Sequence, residues 1–212
     1  MNTNILGLIL SFSFIFVIGL IALILKKFTK ISSEGVRKFI HILVSNWVFF
    51  LVYFFNDIRF AIIGPIVFII GNAIFVYSGM GKILGMGNRK RDNGLIYFPL
   101  SLLILVLLLY KGIIDDMDII ASVLIMGYGD GFAALVGTSY GRHKYSVMNC
   151  TKSYEGSAVM FVIALIISLL TGHPLLTAVI MAAVATFFEG VTPLGLDNIT
   201  VPLLTALVGV LI

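Results

Sequence analysis

Gly127-Tyr128-Gly129-Asp130-Gly131 lies between two apolar runs, residues 119–126 and 132–136. An acid in such a stretch decides how the chain is read. Within a membrane-spanning helix it costs roughly 2.5–3.5 kcal/mol on insertion scales, so it needs a partner and marks a functional site. Basic and polar residues follow at once, in Gly141-Arg142-His143-Lys144 and Thr151-Lys152-Ser153. An acid able to hold a metal, beside a basic loop able to hold phosphate, points to nucleotide chemistry at a membrane surface.

The rest of the chain supports a membrane reading. Of 212 residues, 60% are hydrophobic and 11% charged, and the mean hydropathy is +1.13. That composition excludes a soluble domain. Apolar stretches suited to a hydrocarbon core of about 30 Å recur at 5–25, 37–55, 58–78, 95–110, 117–138, 156–171, 174–189 and 199–212. Backbone groups in lipid must bond within their own segment, so the spans are expected to be helices; barrel strands would be shorter and alternate in polarity. The expected fold is therefore an all-α polytopic membrane protein with about eight spans. Residues 1–212 form one transmembrane domain, with no linker or low-complexity tract.

Charge sets the orientation. With the N-terminus outside, the inner loops receive Lys26, Lys27, Lys30, Arg37 and Lys38, then Lys82, Arg89, Lys90 and Arg91, then Arg142, Lys144 and Lys152. Only Arg59 and Lys111 fall outside, as the positive-inside rule demands. The net charge of +4 thus reflects topology, and no nucleic-acid partner is expected. Residues 1–4 carry no positive charge and no small-residue cleavage site precedes Lys26, so the first span reads as a retained helix. The expected location is the cell membrane, with the functional face toward the cytoplasm; a homo-oligomer is compatible with this composition. Cys150 is the only cysteine, which rules out an internal disulfide and a cysteine metal site. The acids Asp115, Asp116 and Asp118 read as a solvated outer turn.

Small residues at helical spacing suggest how polar groups are gathered. Gly127 and Gly131, then Ala134 and Thr138, recur every four residues beside Asp130, and Ala178, Ala182 and Ala185 lead to Glu189. Such stripes let helices approach closely in lipid. Both therefore deliver a carboxylate to about the same inner depth.

Four constellations could carry chemistry. The acids Asp130, Glu189 and Asp197, with Asn198, suit a hard divalent cation, which often takes one or two carboxylates plus substrate phosphate. The plainer reading makes Glu189 and Asp197 helix-end residues. In the loop 141–157, Ser153 can cap the following helix, whose free amides attract anions, while Arg142 and Lys152 add charge. It is not a P-loop, and Gly85-Met86-Gly87-Asn88-Arg89-Lys90 lacks the last glycine of a dinucleotide fingerprint. Arg37 and His41 share a helix face at i and i+4. His41 could accept a proton, contact phosphate or tie two helices together. Finally, Arg89-Lys90-Arg91-Asp92-Asn93-Gly94 could bind head groups or nucleotide, or be a solvated charge run.

Arg37-Lys38-x-x-His41, the Gly129-Asp130-Gly131 block with Gly137 and Gly141-Arg142, Lys152-Ser153-x-x-Gly156-Ser157, and the Glu189…Asp197-Asn198 ending resemble the CTP-dependent lipid kinases. That family includes phytol, dolichol and yeast-type diacylglycerol kinases and is related to phosphatidate cytidylyltransferase. The resemblance runs from about Arg37 to the C-terminus. It implies transfer of the γ-phosphoryl group of CTP to the hydroxyl of a membrane lipid alcohol. On that basis Asp130 and Asp197 are expected to hold Mg²⁺, with Glu189 and Asn198 as helpers. Lys152, Arg142 and Lys144 are expected to neutralise the triphosphate and Thr151 and Ser153 to hydrogen-bond it. Arg37, Lys38, Gly129 and Gly131 complete the expected nucleotide contacts. Glu155 and His41 are the candidates for the base. Two rivals stay open on the residues alone: a cytidylyltransferase making a CDP-lipid, and an ion- or proton-coupled transporter.

Overall fold

The computed structural model describes residues 2–80, 92–148 and 150–212; Lys82, the Gly85-Met86-Gly87 stretch and the basic run Arg89-Lys90-Arg91 lie outside the described residues. Helix α1 covers Thr3–Phe28, and α2 (Ser33–Ser45) continues through α3 (Trp47–Phe54). A single turn, α4 (Ile58–Ala61), leads into α5 (Ile63–Tyr77), and α6 covers Gly94–Tyr110. Next come α7 (Asp116–Leu124), a π-helical turn (Ile125–Asp130) and α8 (Gly131–Ser139), stacked end to end. After a two-stranded hairpin, α9 (Tyr154–Leu170), α10 (Leu175–Val191) and α11 (Asp197–Leu211) complete the chain.

Each apolar stretch of the sequence forms a helical rod. Thr3–Phe28, Ser33–Phe54, Ile58–Tyr77 and Asp116–Ser139 are long and apolar enough to cross a membrane, while the other four are shorter apolar helices. The exposed surface is greasy: Ile9, Phe16 and Ile24 on α1, Ile70 and Ile74 on α5, and Val162 and Ile166 on α9 all face outward. Burying such faces against lipid is the stable arrangement. The fold is that of an integral membrane protein built from helices.

Contacts at the two ends show the rods running in alternating directions. At one end Asn4 bonds to Asn56 at 2.6 Å, the Tyr110 hydroxyl donates to the Phe55 carbonyl at 2.9 Å, and His173 Nε2 meets Asp118 Oδ1 at 3.1 Å. The opposite end gathers Lys38 with Asp130, and Lys152 with Glu189. Asp118 departs from the expected solvated turn. It closes a capping box with Asp115 at the start of α7 and is buried against His173, because a buried carboxylate must be hydrogen-bonded.

The inner loop also departs from expectation. Residues Lys144–Val147 pair antiparallel with Cys150–Ser153, Lys144 opposite Ser153 and Tyr145 opposite Lys152. The turn places Met148 at φ 46. Tyr145 anchors this hairpin: its hydroxyl lies 2.7 Å from Ser157 Oγ, and an added Cβ on Gly190 would come within 2.8 Å of it.

The π-turn is the tightest part of the bundle. A Cβ on Gly127 would lie 2.2 Å from Ser45 Cβ, one on Gly131 would lie 2.3 Å from Ile42 Cγ1, and one on Gly129 would lie 2.4 Å from Met160 Sδ. Lys38, Ile42 and Ser45 are one face of α2, so Asp130, Gly131 and Gly127 meet that face in turn. Gly127→Ala is expected to lower the melting temperature in detergent, overpacking here costing about 1–3 kcal/mol. Gly71→Ala, where an added Cβ meets nothing within 4 Å, should leave the melting temperature unchanged or raise it.

Candidate active site

Asp130 ends the π-turn and is 2% exposed. π-Turns within α-helices recur at functional sites. Here the turn ends on the one acid of the rod's interior. Lys38 of α2, itself buried, donates to Asp130 Oδ2, and His41 Nε2 stands 3.8 Å from the same oxygen. His41 is held edge-on by Phe98, with ring centroids 4.7 Å apart, and its Nε2 has no hydrogen-bond partner.

A second ion pair lies beside the first. The hairpin carries Lys152 to Glu189, which ends the small-residue face of α10 and is 3% exposed. Burial would lower the Lys152 ammonium, but the carboxylates of Glu189, Asp130 and Asp197 around it hold it above the usual lysine range. Asp197 begins α11 after a left-handed turn at Leu194 and Gly195. Its Oδ1 accepts from the Asn198 backbone at 3.0 Å and side chain at 3.0 Å, and it lies within electrostatic reach of Asp130.

All these groups open on one cavity of about 790 Å³. At its charged end Asp130, Glu189, Asp197 and Asn198 face Arg37, Lys38 and His41. The hairpin contributes Lys144, Thr151, Lys152 and Ser153, and the following helix Gly156 and Ser157. Ser153 caps α9, its Oγ accepting from the Gly156 amide at 3.1 Å. Arg37 bonds to Glu34 at 2.8 Å, which orients its guanidinium at the rim.

Four of the residues singled out from sequence lie elsewhere. Gly129 and Gly131 serve packing, as described above. Arg142 is exposed and does not line the cavity. Glu155 is outside the lining too: its carboxylate accepts from the Arg142 and His143 amides at 3.2 and 3.1 Å and meets His143 Nδ1 at 2.8 Å. It fixes the loop before the hairpin and so holds the hairpin in place.

An apolar side to the pocket was expected from the sequence, but none of its residues was singled out. An apolar arm descends between α2–α3, α5 and α6, lined by Val44 and Trp47, by Pro65 and Phe68, and by Phe98 and Leu102. The signal in the sequence was weak: Lys38, His41, Val44 and Trp47 recur every three residues, a spacing that winds around a helix, and apolar residues spaced in this way equally mark ordinary core.

The donor set fits a divalent ion only in part. Hard carboxylate oxygens line the cavity, yet among the described residues no three acidic, histidine or cysteine side chains cluster closely enough to cage a metal. Two of the acids are already neutralised by lysines. The arrangement suits a cation that brings its own water or phosphate ligands and takes one or two carboxylates.

Removing one member of a buried ion pair strands the other charge, at a cost of about 3–5 kcal/mol. Lys38→Met is therefore expected to lower the melting temperature in detergent sharply. The double variant Lys38→Met/Asp130→Leu should recover much of the loss, which a double-mutant cycle of thermal unfolding checks.

No family model matches the chain, and no solved structure matches it. Among curated proteins it is 36% identical to the phytol kinase of Synechocystis over 94 residues, 41% of this chain and 40% of that protein. It is 35% identical to a probable chloroplastic phytol kinase of Triticum aestivum over 142 residues, 58% of this chain and 46% of that protein. A probable chloroplastic phytol kinase of Zea mays is 29% identical over 210 residues, 83% of this chain and 66% of that protein. The matches thus span from 40% to 66% of the length of these relatives. The chain is a homologue of proteins named phytol kinase, in keeping with the lipid-kinase resemblance of its motifs.

Proposed function

We propose that this protein is a membrane-embedded kinase that passes the γ-phosphoryl group of CTP to the hydroxyl of a lipid alcohol of the phytol or polyprenol type. The observation that carries this reading is the single cavity whose charged end continues into an apolar arm. Relatives named phytol kinase support the same chemistry. We place the charged end at the cytoplasmic face of the cell membrane, with eight spans and the N-terminus outside, because the basic residues gather at that end.

In this reading the nucleotide's phosphates lie across Lys144, Thr151, Lys152 and Ser153. Arg37 and Lys38 approach from the opposite wall. Asp130 and Asp197 are the proposed Mg²⁺ ligands, with Glu189 and Asn198 as helpers. A bound divalent ion would spread the charge that builds on the transferring group. The lipid hydroxyl oxygen forms the new bond to the γ-phosphorus as the bond to the β-phosphate oxygen breaks, and CDP departs with that electron pair. Phosphoryl transfer asks for alignment and charge neutralisation more than covalent help. Of the two base candidates, only His41 lines the cavity, and in this reading its Nε2, which has no hydrogen-bond partner, accepts the hydroxyl's proton as the new bond forms.

Labelled CTP or ATP incubated with phytol, a polyprenol or diacylglycerol tests the reaction. CDP and a lipid phosphate are the expected products; pyrophosphate with a CDP-lipid would instead identify a cytidylyltransferase. Asp130→Asn is expected to reduce transfer to background; the protein still inserts and folds, with a lowered melting temperature because Lys38 keeps a hydrogen-bond acceptor but loses its counter-charge. Lys152→Ala should raise the CTP requirement or slow transfer by roughly 10²–10³-fold, the usual cost of one charge-stabilising donor. Because lysines already neutralise two of the acids, calorimetry should detect Mg²⁺ binding with CTP present and little with Mg²⁺ alone.

A further inference from the structure

Trp47 is the only tryptophan in the protein. It lies at the deep end of the apolar arm, where three helical stripes converge. From Lys38 to Trp47 the chain descends nine residues, which at helical rise is about 13 Å below the ion pair. On α5 the lining runs downward through Asn72, Phe68, Pro65 and Gly64. On α6 it runs through Leu95, Phe98 and Leu102. Near the top Asn72 Nδ2 donates to the Leu95 carbonyl at 2.6 Å, pinning α5 to α6 beside the charged end. Polarity falls steadily from there.

The deep end is closed by close packing. A Cβ on Gly64 would stand 3.2 Å from Trp47 Cζ2, so the indole lies directly on the α5 backbone. Phe55 backs it from the other side, with ring centroids 6.3 Å apart. The ring is 3% exposed and its Nε1 has no hydrogen-bond partner, so packing alone holds it.

We propose that Trp47, seated on Gly64, is the floor of a slot for one slender hydrocarbon chain and sets the chain length that the protein accepts. This rests on the lipid-kinase reading: the hydroxyl is held beside Lys38 and Asp130, and the chain, longer when extended than this helical rise, bends along the arm so that its far end abuts the indole. The occupant is a single-chain alcohol because the arm is continuous with the charged site and walled in by α1 through Ile15, by α2–α3, by α5 and by α6.

Trp47 itself supplies a readout that does not depend on turnover. A saturated fatty alcohol brominated at its terminal carbon should quench the intrinsic fluorescence strongly and saturably, and unlabelled phytol should reverse the quenching. The same alcohol brominated next to its hydroxyl should quench weakly. Equal quenching by both labels, or none that unlabelled phytol reverses, would overturn the proposal. In turnover assays Trp47→Ala should raise the kcat/KM ratio of geranylgeraniol to geraniol by about tenfold, the scale on which one or two methylenes discriminate. Gly64→Val, which pushes the indole into the slot, should lower that ratio. Each ratio is taken within one variant, so a general loss of stability cancels. Unchanged ratios in both variants would remove Trp47 as the determinant, even if the wild type is a good kinase. A wild type that phosphorylates none of these alcohols with either nucleotide would instead remove the kinase reading, and the quenching result would still stand or fall by itself.

Discussion

The structure depends on satisfying one carboxylate where water does not reach. Asp130 lies inside a helical rod with its charge in a low-dielectric interior, and an unpaired charge there would drive the helix out of the bundle. Lys38 answers it from α2. That pairing needs the two backbones to approach more closely than ordinary side chains permit. Gly127 and Gly131 make room for Ser45 and Ile42 on one side, and Gly129 makes room for Met160 on the other. The glycines weaken the helix locally, and the π-turn at Ile125–Asp130 is where that weakness is used.

A second pair follows from the first. Once α2 is drawn in, the cavity wall beside Asp130 must be closed by the segment after α8. The hairpin does this through Tyr145, wedged against Ser157 and Gly190. Lys152, directly across the hairpin from Tyr145, is thereby delivered to Glu189. Glu155, anchoring the amides of Arg142 and His143, keeps the hairpin's first strand in register with this purpose. Three lysines, Arg37 and the acids Glu34, Asp130, Glu189 and Asp197 thus share one compartment, and their charges balance. Such a compartment can admit a polyanion together with a cation without a large change in net charge, which is what a nucleotide with its metal requires.

The same helices that hold the charges also build the apolar arm. α2 presents Lys38 to the cavity near one end, and α3 presents Trp47 just past the break at Asn46. The charged and apolar ends of the cavity therefore share the wall formed by α2 and α3. A soluble donor and a membrane-bound acceptor can meet only if one wall serves both.

Much of this was legible in the sequence. Hydropathy fixes where the helices fall because the bilayer demands long apolar segments with internally satisfied backbones, and an acid amid glycines in such a segment singled out Asp130. Spacing alone put Arg37 with His41 and Ala185 with Glu189. Tertiary structure decided the rest. The hairpin was read as loop, since its strands of four residues are too short to carry a pattern, and only Tyr145 docking onto α10 gives them a place. Asp118 read as solvated until the turn from α9 to α10 brought His173 against it. Which lysine neutralises which acid, the removal of Glu155 from the cavity, and the convergence on Trp47 all depend on how separate helices rotate and pack. Local sequence sets the face that a helix offers, but which faces meet is settled by long-range packing.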